Sequence, residues 1–126
     1  MSATNKLRRP TLLNSFRYAF VGVAQLLRRE RNARIHAVAA VVAIVAGLYL
    51  RLSPIEWTAI VLCIAGVLAA EAMNSAVELL ADVLHPADHP DIGHAKDIAA
   101  AAVLLMSIAA AVVASLLVVP RIAAEL

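Results

Sequence analysis

The sequence predicts an all-α integral membrane protein: an N-terminal amphipathic surface helix followed by three transmembrane helices. Three observations carry this. The 126 residues are 63% hydrophobic and only 16% charged, with a mean hydropathy of +0.84, leaving too little polar surface to cover a soluble core. Long apolar runs recur along the chain. Eight of the eleven basic residues (Lys6, Arg8, Arg9, Arg17, Arg28, Arg29, Arg31 and Arg34) precede the first of those runs. The apolar bulk is mostly Ala, Val, Leu and Ile, which suits close helix–helix approach in a bilayer. A chain of this length is read as one domain, 1–126.

Residues 1–10 are polar and basic and end at Pro10; they are read as a mobile lead-in. Over 11–29, Leu13, Phe16, Phe20, Val23, Ala24 and Leu27 recur at three- and four-residue spacing, with Asn14, Arg17, Gln25 and Arg28 elsewhere on the wheel. That pattern predicts a helix lying in the membrane surface, with too many polar positions to span it. The basic cluster fits attraction to anionic cytoplasmic lipid. Nucleic acid as a partner is set aside against so much hydrophobic sequence.

The first run, Ile35 to Leu50, is interrupted only by His36 and closed by Arg51, and Ala33 and Leu52 extend it to a span of 33–52. The second, 55–83, follows Ser53-Pro54, with Trp57 placed as an interfacial anchor. The third, 96–119, contains 22 uncharged residues from Ile98 to Val119 and is expected to stop at Pro120. The first long apolar run begins only at Ile35, too late for a secretory signal, so the chain is expected to insert uncleaved. Basic residues stay inside. The N-terminus and the loop His85 to His94 are therefore cytoplasmic, and the Arg51–Glu56 turn and Arg121 lie outside. Cys63, the single cysteine, sits inside an apolar run and is read as packing.

The second span carries Glu71, Asn74, Glu78 and Asp82, spaced three, four and four apart, which makes one polar stripe on an apolar helix. Counting from Trp57, Glu71 lies ~9 Å inside the hydrocarbon boundary, Glu78 at the interface and Asp82 in water. A carboxylate that deep costs at least ~2.5–3.5 kcal/mol and is rarely kept without a partner or a task. One buried Glu or Asn can serve a helix–helix contact alone; a whole stripe asks for more. Glu30 before the first span and Lys96-Asp97 at the start of the third reach the same cytoplasmic level.

Carboxylates with few histidines suit a hard cation such as Mg²⁺, which usually also binds substrate phosphate. Lys96 can neutralise a phosphate as a point charge. A desolvated carboxylate such as Glu71 suits a general base toward a weakly acidic hydroxyl. The set fits phosphoryl transfer, where catalysis is mostly positioning and charge neutralisation. A small proton-coupled transporter using Glu71 is the alternative, although it needs neither the second carboxylate nor the Lys–Asp pair. The four glycines form no nucleotide-binding loop of either usual kind. The histidines of the 85–94 loop lack cysteine partners, so that loop is read as nucleotide-contacting or solvated rather than as a zinc site.

These residues resemble a known family. Glu71-Ala-Met-Asn74-Ser75-Ala-Val-Glu78, then Asp82, then Ala95-Lys96-Asp97 with Ala101-Ala-Val-Leu104, is similar to the signature of the small prokaryotic diacylglycerol kinase and undecaprenol kinase family. Glu30-Arg-Asn32-Ala-Arg34-Ile-His36 resembles the segment before its first span, and the likeness covers residues 13–120. The resemblance implies a homotrimeric bundle in the bacterial cytoplasmic membrane that uses ATP and Mg²⁺ to phosphorylate a lipid hydroxyl. By position it implies Glu71 as general base, Glu30 and Glu78 as metal ligands, and Asn74, Asp82, Lys96 and Asp97 as residues that bind ATP phosphates or order the site. Tyr18 and His89 match positions near the nucleotide. Asp88 and His94 depart from the residue types of the family's nucleotide loop, and Arg17 is a candidate for its N-terminal basic contact. Glu30-Arg-Asn32 and Glu56-Trp57 look more like the undecaprenol-type branch than the diacylglycerol branch.

Overall fold

The computed structural model describes residues 11–125. The lead-in 1–10, with Lys6, Arg8 and Arg9, lies outside them. Four helices follow one another with short connections: α1 (Leu12–Arg29), α2 (Arg31–Tyr49), α3 (Pro54–Leu84) and α4 (Pro90–Glu125). Three of them, α2, α3 and α4, are long and apolar enough to cross a membrane.

Helix α1 starts at Thr11, whose hydroxyl accepts the Asn14 N–H at 3.4 Å, the N-cap arrangement that satisfies an otherwise orphaned donor. Its apolar positions Leu13, Phe16 and Phe20 are exposed, and no residue of the helix is buried. An amphipathic helix with its apolar stripe uncovered is built to lie on a lipid surface. Only Glu30 interrupts the chain between α1 and α2. Arg34 closes that corner: its guanidinium donates to the carbonyls of Leu27 at 3.2 Å and Arg28 at 3.1 Å. A cation there also complements the partial negative charge of the helix end.

The turn between α2 and α3 is tight. The Leu52 N–H bonds the Gly47 carbonyl and the Arg51 N–H bonds the Leu48 carbonyl, the paired closure of a Schellman motif. Arg51 supplies its left-handed residue, at φ 52°. Gly47 is buried because the turn folds Trp57 and Leu52 onto it: a Cβ there would stand 2.9 Å from Trp57 Cη2. The next helix opens on a capping box, with Ser53 Oγ accepting from Glu56 N and Glu56 Oε2 accepting from Ser53 N at 2.8 Å.

The most extensive packing joins α3 to α4. Gly66 lets Met106 lie against the α3 backbone, since its methyl group occupies the space a Cβ would need, the small-residue device of membrane helices. At the Arg51–Glu56 end the two helices are tied by Arg121, which bonds both Glu56 oxygens at 2.7 and 2.8 Å and its own Leu117 carbonyl at 2.8 Å.

Two boundaries differ from expectation. Helix α4 does not stop at Pro120 but continues through it to Glu125. It also begins at Pro90, because proline is tolerated in the first helical turn, which shortens the connection after α3 to residues 85–89. The 31 residues of α3 extend over about 46 Å, well beyond a hydrocarbon core of about 30 Å. One end of α3 therefore projects from the membrane, and it carries the acidic stripe outward.

Candidate functional site

The stripe on α3 faces inward where it is deepest. Glu71 is 2% exposed, although it is a carboxylate in an apolar helix, and Asn74 and Ser75 above it are also buried. Its neighbour across the helix interface is His36 of α2, with Nε2 3.8 Å from Glu71 Oε2. One turn further, Asn74 Nδ2 donates to Glu78 Oε1 at 3.1 Å. That bond fixes the amide and leaves Asn74 Oδ1 buried with no hydrogen-bond partner. An orphaned buried acceptor costs roughly 1–3 kcal/mol and calls for a reason.

The stripe then leaves the bundle. Asp82 is exposed, and Lys96 Nζ reaches it from the first turns of α4 at 2.9 Å. Both line a cavity of roughly 570 Å³ with the 85–89 connection, His89 and Asp97 among its walls. The connection is held by its own polar groups: the His85 ring donates to the Ala87 carbonyl at 2.9 Å, and His89 Nδ1 accepts the Asp91 N–H at 3.2 Å. The two histidine rings meet edge to face at 5.2 Å.

A second cavity, roughly 360 Å³, opens between α1 and α3. It holds Glu30 and Arg29 from the α1–α2 corner and Ser75 and Leu79 from α3. Ser75 Oγ is buried there without a partner. Glu30 thus stands beside the stripe through this cavity rather than in direct contact with it.

Nine residues were expected at the site. Glu71 and Asn74 are buried, with half-buried Glu78 bonded to Asn74, and Asp82, Lys96, Asp97 and His89 form a second group around the connection before α4. Glu30 borders the first group. Tyr18 stays apart, 64% exposed on α1. His36 was missed as a site residue, being read only as an interruption of the first span. The signal was available: a polar residue inside a span, near the same end as Glu71, implies a partner. Ser75 was missed because its hydroxyl looks unremarkable beside Asn74.

Among the described residues, no three His, Cys, Asp or Glu side chains converge as a ready-made metal cage. Mg²⁺ does not ask for one: it keeps several waters and binds one or two carboxylates together with substrate phosphate. The donor chemistry here is all oxygen, from Glu78, Glu30 and the free Asn74 Oδ1, and fits a hard divalent cation.

Fold and site together define a multi-pass helical membrane protein with a carboxylate–lysine site at one end of its spans. Residues 17–118 match the prokaryotic diacylglycerol kinase family. The chain is 35% identical over 118 residues to the undecaprenol kinase of Bacillus subtilis, covering 94% of each protein. It is 38% identical over 112 residues to the diacylglycerol kinase of Synechocystis sp., covering 88% of this chain and 64% of that one. The chain belongs to the prokaryotic diacylglycerol kinase family.

Proposed function

We propose that this protein is an ATP- and Mg²⁺-dependent lipid kinase that transfers the γ-phosphoryl group of ATP to the hydroxyl of a membrane lipid, undecaprenol or diacylglycerol. The observation that carries this reading is a nearly inaccessible carboxylate, Glu71, at the foot of a polar stripe that ends at a solvent-side Lys96–Asp82 pair. The acceptor hydroxyl is amphipathic and comes from the bilayer, whereas the donor phosphate comes from water. The stripe connects the two phases.

In this reading Glu71 takes the proton of the acceptor hydroxyl as its oxygen bonds the γ-phosphorus and the bond to the β-phosphate oxygen breaks, releasing ADP. Glu78 and Glu30 would hold Mg²⁺, with Asn74 ordering Glu78. Bound Mg²⁺ supplies charge neutralisation at the phosphates. Lys96, paired with Asp82, meets phosphate as a point charge. Asp97, His89 and Tyr18 are assigned to the nucleotide side. The active form is a homotrimer in the bacterial cytoplasmic membrane, with the N-terminus and the site on the cytoplasmic face. Neighbouring copies would complete the walls around groups that one chain leaves without partners, Asn74 Oδ1 and Ser75 Oγ.

Undecaprenol is favoured over diacylglycerol, with support from the nearly full-length match to an undecaprenol kinase. Comparing kcat/KM for the two lipids in one mixed-micelle system tests the choice. A ratio of at least tenfold toward undecaprenol is expected, and a ratio reversed in favour of diacylglycerol would overturn it. Crosslinking in native membranes should stop at three copies.

A further inference from the structure

An apolar groove of roughly 310 Å³ runs between α2, α3 and α4, walled mostly by alanines and by Cys63, Ile64 and Val67. His36 is the one nitrogen-bearing side chain that lines it. The same ring stands 3.8 Å from Glu71 and is 21% exposed. His36 therefore touches both the hydrocarbon-side groove and the buried carboxylate, and nothing in the phosphoryl-transfer scheme above uses it.

We propose that His36 is a positioning residue: its Nε2–H holds the Glu71 carboxylate in the orientation that accepts the proton of the lipid hydroxyl. This rests on the lipid-kinase reading above. A general base must sit within hydrogen-bond reach of the proton it removes, and such contacts are often long in the unliganded state and tighten on binding. The 3.8 Å separation is longer than a hydrogen bond; in the proposed role it shortens to one when the lipid binds. Glu71 needs such a holder. The other polar groups of the stripe are committed elsewhere, Asn74 to Glu78 and Asp82 to Lys96. A carboxylate buried without a donor would otherwise be free to turn away from the groove. His36 itself moves no proton in this role; the proton passes from the hydroxyl oxygen to Glu71.

The test compares His36→Ala and His36→Gln in the full-length protein. Glutamine keeps an N–H donor near the position of Nε2, whereas alanine removes it. With the lipid that the unmodified protein phosphorylates, His36→Ala should lower kcat about 10–100-fold, the range typical of a lost orienting contact. The KM for ATP should stay within about twofold of its original value, because the nucleotide groups are untouched. His36→Gln should recover most of the rate. Two results would overturn the proposal: unchanged kcat in His36→Ala, or equal losses in the alanine and glutamine variants. An unmodified protein inactive on both lipids would refute the lipid-kinase reading itself, which separates that failure from the failure of His36.

Discussion

Lys96 of α4 donates to Asp82 of α3 at 2.9 Å, across a connection of only five residues, 85–89. The pair stands at the mouth of the cavity that also contains His89 and Asp97. Asp82 holds the ammonium group in place, and the remaining ammonium N–H donors stay available to an anion. Replacing Lys96 by Met should raise the KM for ATP at least tenfold, with a smaller effect on acceptor KM. Both side chains are substantially exposed, and exposed ion pairs contribute little to stability. The thermal midpoint in detergent should therefore stay near that of the unmodified protein while the kinetics change.

At the opposite end of the bundle, Arg121 bonds both oxygens of Glu56, and Glu56 also caps α3 through Ser53. Arg121→Ala should lower the thermal midpoint without changing kcat measured at low temperature, because the pair lies far from the stripe. Equal loss of kcat in the folded variant would show that the two ends are coupled.

Backbone geometry at the α2–α3 turn makes two opposite predictions. Arg51 occupies a left-handed conformation that costs a non-glycine residue roughly 1–2 kcal/mol. Arg51→Gly should therefore stabilise the folded protein by about 1 kcal/mol in reversible unfolding from mild detergent. Gly47→Ala should do the reverse, since its Cβ would press on Trp57 Cη2 at 2.9 Å. Overpacking of this kind costs about 1–3 kcal/mol. The change should also shift Trp57 fluorescence, the only tryptophan signal in the chain.

Asn74 is assigned an ordering role for Glu78 through their 3.1 Å bond. Asn74→Ala should weaken the apparent affinity for Mg²⁺ about 10–100-fold, read from the Mg²⁺ dependence of turnover at saturating ATP. Glu78→Gln should be more severe, because it removes the assigned ligand rather than its support. Unchanged Mg²⁺ dependence in both variants would remove these two residues from the metal site.

Much of this structure was legible in the residues. Apolar runs with basic residues on one flank set out three spans, and the spacing of Glu71, Asn74, Glu78 and Asp82 marked the one face of α3 that could not be lipid-exposed. Local chemistry hid other parts. Pro120 reads as a stop, yet α4 carries on through it, and neighbouring groups in a packed helix can take up what proline disturbs. Pro90 reads as loop but opens α4, because a first-turn proline lacks a donor that the helix does not use. Pairs far apart in the chain, His36 with Glu71 and Glu56 with Arg121, depend on helix rotation and register. No local pattern encodes those. Topology alone placed Glu56 and Arg121 on the same side.

The most direct measurement follows label from γ-labelled ATP into lipid, using purified protein in mixed micelles with Mg²⁺. Undecaprenol and diacylglycerol are supplied separately, and Glu71→Gln and Glu78→Gln are run beside the unmodified chain. Transfer to a lipid by the unmodified protein is expected, with none from Glu78→Gln, and with Glu71→Gln still binding ATP while failing to transfer. No transfer to either lipid from folded, trimeric protein would contradict the kinase assignment and turn attention to proton movement through Glu71.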